Sequence, residues 1–215
     1  MRLMVVLMLG LGGAASAQTP FTIDDALRIA ELSEPAISPD GARIVYTVTS
    51  SDRTRDKQLS DLWSVDWASA GRKPLTRTPD KSEWQPAFSS DGRVLAFLSD
   101  ATDDDTTQLF TMAARGGRPR QASAVPGGIS DYALSPDGRR AVVVAEVGRT
   151  VGSKAKTPPP IVIDRFAFKE DGRGRLDDRR QQLMLVDVAS RSARPLTRGA
   201  FDHWLPAWSP DGRSI

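Results

Sequence analysis

The chain has 215 residues, with 29 Lys and Arg against 27 Asp and Glu, one His and no Cys. So even a charge balance argues against nucleic acid and against an anionic membrane surface as partners. The lack of Cys excludes disulfides and thiolate chemistry.

Residues 1–17 read as a secretory signal. Arg2 supplies the positive end, Leu3 to Gly13 is an apolar run of 11 residues, and Ala15-Ser16-Ala17 is a small-x-small cleavage site. The run is too short for a membrane anchor, since a helical span needs about 20 residues. The expected product is periplasmic or secreted, with no membrane contact after cleavage. Next comes a segment over 18–34, in which Phe21 to Leu32 is expected to be helical. Thr22 suits the cap, Asp24 and Asp25 suit the first turn, and Ile23, Ala26, Leu27 and Ala30 share one face. Pro35 is expected to end this helix, which should pack against the first repeat of the chain.

From 35 to 215 the chain repeats. Ser38-Pro39-Asp40-Gly41, Ser89-Ser90-Asp91-Gly92, Ser135-Pro136-Asp137-Gly138 and Ser209-Pro210-Asp211-Gly212 are four copies of one turn. Pro presets φ, Asp tolerates the second central position, and Gly supplies the left-handed residue. Apolar runs come after the first three: Ile44-Val45-Tyr46, Val94 to Leu98, and Ala141 to Val144. A later alternating strand also recurs, at Asp61 to Asp66, Gln108 to Ala113 and Gln182 to Asp187. Each leads to an edge segment: Pro74-Leu75-Thr76, Pro119-Arg120-Gln121, Pro195-Leu196-Thr197. Successive turn Asp residues lie 51, 46 and 74 positions apart. The first two intervals suit a four-stranded propeller blade of roughly 40–50 residues. The fold expected is therefore all-β, an incomplete propeller of three to four blades with one short N-terminal helix. Strands are expected near 42–49, 61–67, 93–99, 107–113, 140–146 and 182–188. The long third interval needs an insertion at about 148–180. There Thr157-Pro158-Pro159-Pro160 is stiff and extended, Ile161 to Phe168 alternates like an added strand, and Asp171-Gly172 marks a turn. This insertion is either a solvated hairpin or a contact for a neighbouring domain or substrate.

Reactive chemistry is scarce. His203 lies between Asp202 and Trp204, but sequence neighbours rarely form a catalytic pair, and no Gly-x-Ser-x-Gly motif is present. Asp103-Asp104-Asp105 and Asp177-Asp178 lack the spacing of a calcium loop and read as solvated loops. No Gly-rich phosphate loop precedes a helix. Trp63, Trp84, Trp204 and Trp208 recur with Phe88 and Phe110 at repeat positions, which argues for packing between blades over a sugar-stacking platform. No catalytic, cofactor-binding or metal residue is assigned.

The opening Phe21-Thr22-Ile23-Asp24-Asp25-Ala26-Leu27, the Ser-Pro-Asp-Gly repeats and the Asp164-Arg165-Phe166-Ala167-Phe168-Lys169-Glu170-Asp171-Gly172-Arg173-Gly174 segment with Asp177-Asp178-Arg179-Arg180 carry a resemblance. They resemble the N-terminal β-propeller of secreted bacterial serine peptidases of the prolyl oligopeptidase family, in its acylaminoacyl-peptidase and dipeptidyl-aminopeptidase-like branch. The turns alone are shared with TolB-like periplasmic propellers. The resemblance implies a following α/β-hydrolase domain with a Ser-Asp-His triad, and a propeller that restricts access to peptides. The chain stops at Ile215 inside the fourth repeat. The expectation is therefore a fragment without the rest of its propeller or its hydrolase domain, needing no cofactor and inactive alone. The other readings are a stand-alone TolB-like interaction propeller and, behind it, a carbohydrate-active propeller.

Overall fold

The computed structural model describes residues 20–148, 163, 166, 168–171, 174–175 and 179–215. The expected signal at 1–17 and most of the insertion lie outside the described residues.

Among the described residues three four-stranded antiparallel sheets succeed one another along the chain. Blade 1 is β1 (Glu31–Ile37), β2 (Arg43–Asp52), β3 (Lys57–Asp66) and β4 (Arg72–Pro74), paired in that order. Blade 2 repeats the order with β5 (Glu83–Phe88), β6 (Val94–Ser99), β7 (Gln108–Ala113) and β8 (Arg120–Gln121). Blade 3 has β9 (Asp131–Leu134) and β10 (Arg140–Val147), then the insertion with the small hairpin β11 (Lys169–Glu170) and β12 (Gly174–Arg175), then β13 (Arg180–Asp187) and β14 (Ala193–Pro195). All six expected strands are present within a few residues. In the insertion, strand pairing is at Lys169↔Arg175 and Glu170↔Gly174; Gly172 of the expected Asp171-Gly172 turn lies outside the described residues. Ile163, Phe166 and Phe168 of the expected added strand are exposed and outside any strand.

The expected helix is mostly absent. Only α1 (Ile23–Ala26) forms, started by a capping box in which Thr22 and Asp25 bond reciprocally. Glu31, Leu32 and Ser33 instead pair with Thr49, Val48 and Thr47 of β2. Ladder pairing of a seven-residue strand outweighs the propensity of a short, poorly nucleated helix. Pro35 is therefore a strand residue at a bulge, not a helix stop. α1 buries no residue, and its tie to blade 1 is the 2.8 Å ion pair of Asp24 with Arg53.

The repeated turn explains why Ser and Asp recur in it. Gly41, Gly92, Gly138 and Gly212 all take φ of 67 to 69°, the left-handed region that suits glycine. In the first copy the Gly41 N–H donates to the Ser38 carbonyl (2.8 Å), closing the turn. The Ser38 hydroxyl donates to Asp40 (2.6 Å) and accepts from the Arg43 N–H (2.9 Å), while Asp40 accepts from the Ala42 N–H (3.1 Å). The other three copies reproduce this set. The serine hydroxyl holds Asp40, Asp91, Asp137 and Asp211 below the usual carboxylate range, with the next backbone N–H adding to it. In the second copy Ser90 replaces Pro, and its free N–H donates to the Pro136 carbonyl of blade 3 (3.0 Å). In the fourth copy the turn closes without a strand over Trp204 to Trp208.

Two apolar clusters join the blades. Val45 and Leu62 of blade 1 pack with Leu95, Phe97, Phe110 and Met112 of blade 2, the two Phe rings stacked at 6.0 Å. Ala96, Leu98 and Leu109 on the other face of blade 2 pack with Ala141, Val143 and Val186 of blade 3. The expected role of the recurring aromatics holds for Phe88 and Trp84, one on each cluster. It holds also for Trp208, whose indole N–H donates to the Ala133 carbonyl (2.9 Å) beneath the Arg140 guanidinium. Trp204 lies open.

Candidate functional site at the inner strands

The first strands of the blades meet along one edge, and one repeat position governs that edge. It is occupied by Glu34, Gln85, Asp131 and Leu205, each four residues before the Ser that opens the turn. In copies one, two and four a Pro comes next. Glu34, Gln85 and Leu205 all take positive φ, at 52 to 54°. In β1 and β5 the register shifts here, so the residue and its Pro drop out of the ladder. Tyr132 replaces that Pro in blade 3, and β9 pairs with β10 without a shift.

The bulge frees backbone groups that must find other partners. The Gln85 N–H donates to Glu34 Oε2 (2.6 Å), which also accepts from the Thr47 hydroxyl (2.9 Å). The Gln85 carbonyl accepts from the Tyr132 hydroxyl (2.7 Å), and the Gln85 side-chain amide donates to Asp131 (2.6 Å). Gln85 is thus the hub through which the three inner strands are tied. Burial, then the neighbouring Asp131 and Glu34 charges, push the Tyr132 phenol well above its usual range, so it stays a donor. Two carboxylates and an amide on one edge make an acceptor-rich surface suited to N–H donors. It offers no activated nucleophile. Reasoning from the sequence missed this column, although the Pro four residues ahead of the turn centre was its visible mark.

A second buried group, also missed, is Glu83 at the start of β5. It is 1% exposed, and its Oε2 has no hydrogen-bond partner. Burial pushes its carboxyl up to about 7; the Thr78 and Thr76 hydroxyls pull the other way, and the Asp61 and Asp100 charges add to the rise.

The residues weighed for chemistry have structural partners. Asp202 accepts from the Gln181 N–H (2.8 Å), and the His203 N–H donates to the Gln181 carbonyl (2.8 Å). His203 Nδ1 lies 3.2 Å from the Phe201 carbonyl. Both residues therefore serve the start of β13, and their side chains form no dyad with each other. Asp105 pairs with Lys81, whose ammonium also reaches the carbonyls of Asp100 and Thr102. Asp104 accepts from the Thr106 hydroxyl (2.7 Å). This is a loop tied by a lysine, and no group of metal-ligating side chains occurs among the described residues. Asp177 and Asp178 lie outside them.

Three four-stranded sheets docked about their first strands are the blades of a partial β-propeller. Over most of its length the chain is related to peptidases. It is 33% identical over 198 residues to the uncharacterized peptidase YuxL of Bacillus subtilis, an alignment covering 89% of this chain and 30% of YuxL. Acylaminoacyl peptidase of Pyrococcus horikoshii superposes with a TM-score of 0.61 over 77% of this chain and 24% of its own, at 18% identity. A putative TolB from Agrobacterium tumefaciens superposes with a TM-score of 0.52 over 86% of this chain and 56% of its own, at 20% identity. No protein-family model matches the chain. The resemblance to a peptidase-associated propeller is borne out, and the chain spans under a third of the length of the curated peptidase it matches.

Proposed function

We propose that the chain is the N-terminal gating propeller of a serine peptidase of the prolyl oligopeptidase type. It would itself lack the catalytic triad and would filter peptides on their way to an α/β-hydrolase domain. The observation that carries this reading is the relation to a peptidase across 89% of the chain. The acceptor-rich inner edge around Gln85 supports it, because an extended peptide presents N–H donors along its length. On this reading residues 1–17 are a signal removed on export to the periplasm or beyond, 18–34 lead in, and 35–215 are propeller with an insertion at about 148–180. Uniform binding of peptides by such blades lowers no barrier by itself.

The test is twofold. The coding sequence after codon 215 is read for a Gly-x-Ser-x-Gly elbow. The 215-residue chain and any longer product are then assayed for chromophore release from aminoacyl and N-acyl-aminoacyl amides. The expected result is an elbow downstream and turnover by the longer product alone. A stop codon after further blades, with no elbow, would instead favour a stand-alone TolB-like propeller. Turnover by the 215-residue chain that disappears in His203→Ala would overturn the inactive assignment.

A further inference from the structure

The turn face of the blades, away from the loops that enter β1, β5 and β9, carries a groove of about 670 Å³ between blades 2 and 3. Arg120 of β8, Arg139 of the third turn and Arg191 of the turn between β13 and β14 line it, with Thr111, Gln121 and Asp187. Among the described residues none of the three guanidiniums makes a hydrogen bond or ion pair, and all three side chains are exposed. Asp187 in the lining is turned into its own loop, where it accepts from the Ser190 N–H and hydroxyl (both 2.8 Å) and is held below its usual range by them; Asp137, at the rim beside Arg139, is likewise taken up by its own turn, accepting from the Ser135 hydroxyl (2.6 Å).

Two further facts set these arginines apart from an ordinary solvated surface. Their backbones are fixed. The Arg139 N–H donates to Asp137 (3.1 Å) and the Arg191 N–H to the Asp187 carbonyl (2.8 Å). Arg191 also sits at φ 60°, a conformation unfavourable for any residue with a side chain. Its counterpart in blade 1 is Ala70, at φ 54°. Among the described residues no hydrogen bond or ion pair of the Arg191 side chain offsets the cost of that backbone conformation. In contrast Arg43 and Arg140, on the same face, are consumed in joining blades, reaching the carbonyls of Ala114 and Gly212.

We propose that this groove docks an acidic peptide segment, an extended stretch rich in Asp or Glu. Planar guanidiniums match carboxylates bidentately, and the groove is larger than one small anion needs. The site is recessed, and its rim tips, Asp137-Gly138-Arg139 and Ala189-Ser190-Arg191, carry no large apolar side chain to enter a bilayer. A peptide therefore fits better than a lipid surface.

The test is fluorescence anisotropy of labelled hexaglutamate with the full 215-residue chain, beside hexalysine and phosphatidylglycerol vesicles. Hexaglutamate binds, and binding weakens as NaCl is raised. Arg191→Gly weakens it roughly tenfold while the strand signature in circular dichroism is unchanged, because glycine suits φ 60°. Arg139→Glu acts in the same direction, and Lys57→Glu, on the opposite face, leaves binding unaltered. Undiminished binding by Arg191→Gly, equal binding of hexalysine, or capture by the vesicles with no binding of hexaglutamate would each overturn the proposal.

Discussion

Blades 1 and 2 share one plan and differ in their second strands. Leu95, Ala96, Phe97 and Leu98 of β6 are all fully buried. In β2 burial alternates, Val45 and Thr47 being buried while Ile44 and Tyr46 are half exposed. The cause is position. Blade 2 is covered on both faces, by blade 1 and by blade 3, so its strand is a continuous apolar run. Among the described residues blade 1 has a neighbour on one face, and Leu32, Pro35, Ile44, Tyr46 and Val65 border an open hollow of about 640 Å³ on the other. A strand's pattern therefore records how many neighbours its sheet has.

The strongest way to break this contrast is to truncate each blade. Phe97→Ala should cost about 3–5 kcal/mol, the usual loss on deleting a buried aromatic, whereas Leu32→Ala, at a residue 68% exposed, should stay within about 0.5 kcal/mol. Urea unfolding of both variants checks this. Equal losses would mean that blade 1's open face is covered in solution.

Glu83 sharpens the comparison at the boundary between the two blades. Its folded pKa of about 7 lies above the 4.5 of an ordinary glutamate. The fold therefore holds its proton more tightly than the unfolded chain does. The stability this contributes is complete below about pH 4.5 and is lost as pH rises through 7. Glu83→Gln should be more stable than the parent above pH 7, by about 3 kcal/mol, and should flatten the profile between about pH 4.5 and 7. A profile that keeps its slope would show that other groups carry it.

The turn glycines give a smaller difference. A Cβ on Gly41 of blade 1 would meet nothing within 4 Å, so Gly41→Ala should cost only the left-handed backbone, about 1 kcal/mol. A Cβ on Gly138 would lie 3.1 Å from the Ser89 side chain and 3.3 Å from that of Val94 in blade 2. Gly138→Ala should cost about twice as much, and a pair of thermal melts tests the ratio. The smallest effect is on solubility. Leu32→Lys should leave the unfolding midpoint nearly unchanged and reduce self-association in light scattering, since it charges the open face.

The repeat was legible because its cause is local. Pro, Asp and Gly set a turn through their own dihedrals, and alternation sets a half-buried strand. The reach of α1 was misread because Glu31 to Ser33 satisfy a helical pattern alone and a strand once β2 is beside them. The inner-edge column was hidden for a similar reason. Nothing in Gln85 itself says that its backbone will be released by Pro86 and caught by Glu34 and Tyr132 from blades 51 and 47 residues away. Glu83 reads as a surface charge until blade 1 closes over it. The neighbour pair Asp202 and His203 is used by the backbone of Gln181, a partner that no spacing between them announces.

The bonds from Arg43 to Ala114, Arg140 to Gly212, Ser90 to Pro136, Tyr132 to Gln85 and Trp208 to Ala133 all end on a main-chain carbonyl. A carbonyl is present whatever residue bears it, so a blade can be recognised by its neighbour without presenting any particular side chain. Substitutions on the accepting side leave such a joint intact, and a copied blade arrives already able to be joined. Neighbouring units can then change their side chains independently while the joint between them is kept.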